Sequence, residues 1–263
     1  MSLSAPVPAR SALLATWTTA WLAGEAALPE LVQRVTAHDD DHAVVGLGPR
    51  ELGLEQAVAR LRAAGAVRAR LVLPAPGDVV GLPGPGPFAA AALTASEGVL
   101  ALAPDGSGTG LVPALTSHGT PLDGTVTTVT WTAYDVAVAP VDPGPFLHDA
   151  EHDLRLAVVE AVRALTELEV ARWDPDVAEA LRDLRRDARH GIDEDELPAS
   201  WPPRARALLV RCRQLAAVVA VATRTAGGAV DVREAEARDR VLRELARAVR
   251  RARVAAYNAH GQT

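Results

Sequence analysis

The 263-residue sequence contains no lysine, so arginine supplies all 27 of its basic side chains. Without a lysine the chain has no Schiff-base amine, no Walker A phosphate-binding lysine and no Ser–Lys dyad. A single cysteine, Cys212, excludes an internal disulfide, a C-x-x-C redox pair and a cysteine-rich zinc site. Because Cys212 ends the mainly apolar run 208–212, we predict a buried structural thiol rather than a nucleophile.

Aromatic residues make up only 3% of the chain, so the core must consist mainly of Ala, Leu and Val. No apolar run approaches the ~20 residues that span a bilayer. The apolar stretch after Arg10 is interrupted by threonines and lacks the basic start of a signal peptide. We therefore expect a cytoplasmic globular protein with no membrane segment.

Hydrophobic spacing predicts an α+β protein whose first part is a small mixed β-sheet with flanking helices. Residues 10–37 have the pattern of two helices that break at Leu28–Pro29, and Leu13, Trp17, Ala20 and Trp21 give the first an amphipathic face. The order strand, helix, strand over 43–73 predicts a right-handed parallel unit. The predicted elements of this unit are a strand over 43–47, a helix over 51–64 that stops at Gly65, and a strand over 70–73.

A short helix and three strands follow the predicted parallel unit. Turn residues at 104–108 and 119–124 separate the strands, which predicts an antiparallel meander. The last strand changes its buried face near Thr127–Thr128, where we expect a β-bulge. The helix is predicted over 88–94 and the strands over 98–103, 110–115 and 125–138.

After a proline-rich linker the periodicity becomes helical throughout. We expect an α/β portion over 1–140, a linker over 140–146 and a helical portion over 147–263. The third helix is apolar nearly all round, which predicts that it is central. The helical portion should hold about four helices, over roughly 147–171, 175–189, 203–223 and 231–257.

Charge is divided along the helical portion. Residues 147–200 carry 15 acids and 7 arginines, whereas residues 201–263 carry 13 arginines and 5 acids. An arginine stripe lies opposite a Leu/Val seam on the last helix. The stripe is open to three interpretations: a solvated face, contact with the acidic helices within a chain or across a homodimer, or polyanion binding. The net charge of −6 and the lack of aromatics among the arginines disfavour nucleic acid. The stripe consists of Arg240, Arg243, Arg247, Arg250 and Arg251.

Two histidine clusters are candidate metal sites. His148, Glu151 and His152 match the H-x-x-E-H pattern of inverted zinc peptidases, in which two imidazoles on one helix face bind Zn²⁺. Both histidines, however, fall on the predicted solvent face of their helix. His38 and His42 enclose three aspartates, which supplies nitrogen and oxygen ligands in a short loop. A polar helix start and a solvated loop are the alternatives, and only convergence of the two clusters in space would favour metal strongly.

The segment Pro74–Pro87, which we name the Gly/Pro loop, is the candidate ligand site. It follows a predicted parallel strand, and open α/β sheets bind ligands at the carboxyl ends of such strands. Exposed backbone N–H groups and the following helix N-terminus would suit an anion, although G-x-G-x-x-G spacing is absent and prolines remove donors. A rigid connector is the alternative. The candidate residues are Gly77, Asp78, Gly81, Gly84 and Gly86.

No catalytic constellation emerges from the sequence. We therefore expect a non-catalytic cytoplasmic module that binds a small ligand or a protein partner, as a homodimer. The alternative is a hydrolase or transferase that uses the Gly/Pro loop or a histidine-based metal site. The sequence predicts no cofactor and leaves a divalent metal open at the two histidine clusters.

Overall fold

The computed structural model describes residues 9–120, 124–138, 146–167, 196–224 and 232–262. The chain is an α+β protein, which confirms the predicted class, with seven helices and six strands among these residues. It divides into two compact units. Unit 1 comprises Met1–Gly144 and Glu194–Trp201, and unit 2 comprises Pro145–Asp193 and Pro202–Thr263.

Unit 1 holds the β-sheet and four helices among its described residues. In chain order they are α1 (Arg10–Leu22), α2 (Leu28–Thr36), β1 (Asp41–Val45), β2 (Leu52–Gly53), α3 (Leu54–Ala63), β3 (Arg68–Val72), α4 (Pro87–Ala95), β4 (Gly98–Leu102), β5 (Ser107–Thr120) and β6 (Gly124–Ala137).

The strands form one mixed sheet in the order β2-β1-β6-β5-β4-β3. Only β1 and β6 pair in parallel among the described strands, and the other neighbours are antiparallel. The predicted parallel unit of β1, α3 and β3 is therefore wrong. The two strands run in opposite directions with the β4–β5–β6 meander inserted between them, because the later strands pair with each other and leave β3 at an edge.

The predicted meander is confirmed, and β5 and β6 form a hairpin longer than expected. Its register runs without interruption from Ser107↔Ala137 to Thr120↔Gly124. The bulge expected near Thr127–Thr128 is therefore wrong. The two residues keep their places in the ladder opposite Ser117 and Thr116, and the pattern changes there because Thr128 is the first residue of β6 that also pairs with β1. β4 pairs with β5 only from Gly108 to Leu111, so the hairpin also extends beyond that neighbour.

Helix α1 is buried from Ser11 to Ala20, so its predicted amphipathic character is wrong. The helix packs against strand β3 and helix α2, which leaves it no solvent face in this stretch. Its Thr19 hydroxyl donates to the Ala69 carbonyl at 2.8 Å and accepts from the Ala69 N–H at 2.9 Å. One threonine thus occupies backbone groups at the edge of β3, where no further strand pairs among the described residues.

An aromatic side chain packs on glycines beneath helix α4. A Cβ atom at Gly110 would lie 2.3 Å from Cδ2 of Phe88, and one at Gly98 would lie 3.2 Å from its Cζ. Phe88 also meets Tyr134 edge to face, with ring centroids 6.3 Å apart. The two glycines therefore let the phenyl ring lie close to the sheet, in a core cluster with Val72, Leu100, Leu102 and Val112.

Unit 2 contains helices α5 (Leu147–Glu167), α6 (Pro203–Arg224) and α7 (Val232–Tyr257) within the described ranges. Helix α7 packs against both of the others, so it is the central one of these three. The expectation that α6 is central is wrong, because its apolar residues from Leu215 to Val219 are only half-buried. The helix predicted over 175–189 lies outside the described residues.

Residues Glu194–Trp201 belong to unit 1, although the chain before and after them belongs to unit 2. Three side chains of this segment, those of Glu196, Leu197 and Trp201, are almost completely buried from solvent, and this burial fixes the segment in place. Across the described parts of the chain, no helix combines the length and the hydropathy needed to cross a membrane.

Candidate functional site

The Gly/Pro loop leaves β3, which is an edge strand antiparallel to its neighbour β4. The premise that this loop follows a parallel strand is therefore wrong, and the argument from parallel-sheet ligand sites does not apply to it. What the loop can bind depends on its own conformation and chemistry.

Hydrogen bonds fix the first half of the loop. Ala75 N–H donates to the Asp78 carbonyl at 2.9 Å, and Asp78 N–H donates back to the Ala75 carbonyl at 2.8 Å. Leu82 N–H donates to the Val79 carbonyl at 3.1 Å. The Asp78 side chain is buried, and Leu82 packs against the core cluster beneath α4. Both ends of the segment 78–82 are thus held by the body of unit 1.

Gly81 is required by this conformation. Its φ of +89° is in the left-handed region, and a Cβ atom there would lie 3.3 Å from Cγ1 of Val72. A side chain at this position is disfavoured both by the backbone conformation and by the close approach to β3. Gly77 and Gly84 also have positive φ values, whereas Gly86 is extended.

The tip of the loop is apolar. Val79 is 55% exposed and Val80 is 49% exposed. The loop sequence contains no arginine or histidine, and Asp78 is its only charged residue. Exposed aliphatic groups on a fixed backbone, without a cation nearby in the loop, suit contact with an apolar surface better than contact with an anion.

The loop after α2 contributes to a buried polar network. Arg10 at the start of α1 bonds to Asp39 through two contacts, Nε to Oδ2 at 3.0 Å and Nη2 to Oδ1 at 2.7 Å. Nε2 of His42 lies 3.2 Å from Asp39 Oδ2, and the indole N–H of Trp131 donates to Nδ1 of His42 at 3.2 Å. These four side chains connect α1, the α2–β1 loop, β1 and β6.

This network determines the protonation of its members. The indole N–H can only donate, so Nδ1 of His42 is the acceptor and Nε2 carries the proton shared with Asp39. Burial lowers the pKa of His42, and the hydrogen bond that His42 donates to Asp39 only partly offsets this effect. Burial would raise the pKa of Asp39, but hydrogen bonds from Arg10 and His42 lower it overall. Both ring nitrogens of His42 are thus used within the protein.

The other histidine positions are distributed over the two units. His38 is exposed in unit 1, whereas His148 and His152 are exposed on α5 in unit 2. Glu151, the carboxylate of the H-x-x-E-H pattern, accepts a hydrogen bond from Nε of Arg204 at 2.8 Å. A guanidinium nitrogen of Arg204 also lies 3.3 Å from Nδ1 of His148. The positively charged guanidinium of Arg204 therefore lies beside Glu151 and His148, where a bound metal ion would need uncompensated negative charge.

No group of three or more His, Cys, Asp or Glu side chains is placed to hold a metal ion within the described ranges. Cys212 is buried as predicted, and burial raises the pKa of its thiol to about 12. The thiol consequently stays protonated at neutral pH and is a poor nucleophile.

The arginine stripe lies on α7 away from the buried seam, as expected. Leu242, Leu245, Val249, Ala252 and Ala256 are buried, whereas Arg240, Arg243 and Arg251 are exposed. Arg247 and Arg250 are half-buried, and Nη1 of Arg247 lies 3.4 Å from Oε2 of Glu244 on the same helix. The ion pair between Arg204 and Glu151 joins the basic and acidic segments, but its arginine belongs to α6 rather than to the stripe.

Sequence reasoning missed Arg10 and Trp131, and it did not single out Asp39 among the three aspartates between His38 and His42. The run of aspartates before His42 was a usable signal for a polar cluster, but it suggested a metal site. The sequence gives no indication that Arg10 and Trp131, distant along the chain, meet this loop.

Two family models match the chain in succession. The N-terminal domain of Rv1486c-like protein matches residues 11–145, and the C-terminal domain matches residues 148–254. The chain is 32% identical over 281 residues to the uncharacterized protein Rv1486c of Mycobacterium tuberculosis, with 95% of this chain and 96% of the relative covered. It is 31% identical over 290 residues to the uncharacterized protein ML1804 of Mycobacterium leprae, with the same coverage.

A third relative is the uncharacterized protein MAV321 of Mycobacterium avium, 29% identical over 241 residues, with 80% of this chain and 78% of the relative covered. No solved structure matches the chain. The chain belongs to the Rv1486c-like protein family. The names of these relatives state no activity, so family membership by itself gives neither a reaction nor a ligand.

Proposed function

We propose that this chain is a non-catalytic cytoplasmic module that acts as a homodimer and binds a protein partner through the tip of its Gly/Pro loop. The exposure of Val79 and Val80 at the tip of the loop is the observation that supports this proposal most directly. These two apolar side chains are about half exposed, while Asp78 before them and Leu82 after them are held by the core. A fixed apolar tip is a feature of binding surfaces.

The fixed backbone favours binding energetically. A loop that is already ordered loses little conformational freedom when a partner covers it, so more of the contact energy contributes to affinity. The paired hydrogen bonds between Ala75 and Asp78, together with the Leu82 bond to Val79, provide this order around the tip. Val79 and Val80 are already about half covered, so burial of their remaining surface in a partner pocket would stabilise the complex by about 0.8–1.5 kcal/mol each.

A small anionic ligand has less support. Prolines at five positions remove N–H groups from the loop, and the N–H groups of Ala75, Asp78 and Leu82 already bond to carbonyls of the same loop. The hydrolase or transferase alternative also has less support, because His42 uses both ring nitrogens internally and Glu151 is paired with Arg204.

Comparative capture tests the loop. The tagged protein, a Val79→Asp/Val80→Asp variant and a Val67→Asp control would be purified from cells that naturally make the protein, and the bound proteins quantified by mass spectrometry. Val67 is 52% exposed but lies outside the loop, so it controls for a charge placed on an exposed valine. We expect a partner retained by the control and reduced at least about tenfold in the loop variant.

Equal recovery from all three proteins would refute the loop as the binding site, provided that the thermal unfolding midpoints of the variants agree. Sedimentation of the full chain tests the homodimer, which should have twice the chain mass of 27.5 kDa. Cell fractionation tests the proposed cytoplasmic location independently of both measurements.

A further inference from the structure

Among the described strands, β5 has one edge that is unpaired over most of its length. All fourteen of its residues pair with β6, but only Gly108–Leu111 pair with β4. From Ala114 to Gly119 every residue is exposed, and no strand in the described parts of the chain pairs along this side. The segment 114–119 is here named the free edge.

Backbone geometry shows which groups the free edge presents. The N–H of Thr127 on β6 donates to Oδ2 of Asp40 at 2.6 Å, and the Thr127 carbonyl accepts from the Asp40 N–H at 2.8 Å. Both backbone groups of Thr127 therefore point away from β5. Ser117, opposite Thr127, is therefore in a non-hydrogen-bonded pair, and its own N–H and carbonyl point away from β6. By the alternation of the ladder, Leu115 also directs its backbone groups outward, whereas Gly119 has a φ of +113° and departs from strand geometry.

Pro113 fits the same alternation. Proline has no N–H, and a strand tolerates it where that position faces an edge rather than a partner strand. The odd-numbered residues Leu115 and Ser117 thus form the open side of the ladder, with two N–H and two carbonyl groups available.

Within the described residues the remaining edges of the sheet are protected, whereas no element pairs with or covers the free edge. Thr19 occupies backbone groups at the β3 edge, and the opposite side of the sheet ends in the two-residue strand β2. Proteins usually protect an edge with charged side chains, bulges, prolines or a covering element. The free edge has no charged residue and no bulge, and Leu115 on it is 46% exposed.

We propose that the free edge pairs antiparallel with the free edge of a second copy, joining the two sheets into one across a two-fold axis near Ser117. The inference rests on the homodimer in the proposed function and names its interface. An uncharged strand can pair with itself without placing like charges opposite one another. A two-fold axis makes the contact self-complementary, with Ser117 opposite Ser117 and Leu115 opposite Gly119.

Substitutions at Ser117 test the pairing through one backbone group. Ser117→Pro removes an N–H that faces outward, so it blocks the edge without removing a β5–β6 bond, whereas Ser117→Thr keeps the N–H and serves as the matched control. We expect sedimentation of the full chain to give a dimer for the natural sequence and for Ser117→Thr. Ser117→Pro should be a folded monomer, with its dissociation constant weakened at least about tenfold.

A cysteine at the axis gives a positional readout. Residues opposite one another in a hydrogen-bonded antiparallel pair have Cα atoms about 5.5 Å apart, within the range of a disulfide. Because Cys212 is buried, Ser117→Cys would be the only accessible thiol and should form a covalent dimer under mild oxidation. Ser107→Cys, on the same strand but far from the axis, should stay monomeric on a denaturing gel.

Amide hydrogen exchange keeps the test independent of how the variants fold. In the natural sequence the N–H groups of Leu115 and Ser117 should be protected at high protein concentration and lose protection on dilution. A dimer that persists in Ser117→Pro, with no covalent product from Ser117→Cys, would overturn this interface but leave the proposed homodimer intact. A chain that is monomeric at every concentration would overturn both, while the loop proposal depends on capture alone.

Discussion

Replacement of Arg10 by methionine should destabilise unit 1 by about 3 kcal/mol at pH 7. The Asp39 side chain is completely inaccessible and that of Arg10 is only 20% exposed, so the pair is largely shielded from water. Breaking a buried pair by removing one partner costs about 3–5 kcal/mol, because the remaining charge is left uncompensated. We expect the lower end of this range, since His42 still donates to Asp39 at 3.2 Å.

The dependence on pH separates this explanation from a simple loss of packing. In the natural sequence the pKa of Asp39 lies below its usual value, so the pair stabilises the fold above that value and the stability is lost as the carboxylate is protonated. Without Arg10, burial would raise the pKa of Asp39 in the folded state, and acid would then relieve the buried charge. The difference in stability between the two proteins should therefore shrink as the pH falls below about 4.

Urea denaturation followed by tryptophan fluorescence is a suitable assay, because four of the five tryptophans lie in unit 1. Asp39→Asn in the Arg10→Met background removes the stranded charge and should recover part of the lost free energy. A loss below about 1 kcal/mol, typical of exposed ion pairs, or a loss that does not change with pH, would refute the reasoning.

Two further stability predictions follow from the core of unit 1. Burial lowers the pKa of His42, so stability should fall as the pH drops below about 6.5, where the unfolded chain takes up a proton that the folded state resists. A glutamine in the His42→Gln variant cannot titrate, but it can still accept a hydrogen bond from Trp131 and donate one to Asp39. If the free energy of unfolding of this variant fell as much between pH 7 and pH 5 as that of the natural sequence, His42 would be excluded as the cause. Gly110→Ala should cost about 1–3 kcal/mol because its Cβ would overlap the Phe88 ring. Gly53→Ala, with no atom within 4 Å of the added Cβ, is its control, and equal stabilities would contradict the packing argument.

The hydrophobic pattern predicted the class and most elements because it directly reflects local structure. The seam of α7 and the β4–β5–β6 meander were predictable in this way. The direction of β3 was not predictable in this way. A strand–helix–strand order favours a parallel pair, but here the later strands β4, β5 and β6 lie between β1 and β3 in the sheet. β2 was too short, at two residues, for any periodicity to indicate it.

Contacts between distant residues limited the prediction of sites. The sequence placed His42 in a cluster of possible ligands, but only the fold shows Trp131 donating to it and Arg10 neutralising Asp39. The pattern around His148 was visible, whereas its partner Arg204 lies 56 residues away on another helix. The burial of segment 196–201 in unit 1 likewise has no signal in a run of acidic residues before a proline.

The central claim is that the tip of the Gly/Pro loop contacts a protein partner, and site-specific photo-crosslinking in the native cell tests it most directly. A photoreactive amino acid would replace Val79 in one protein and the equally exposed Val67 in another. The account predicts a discrete crosslinked product from position 79 that is absent from position 67. No product from position 79, or the same products from both positions, would contradict it.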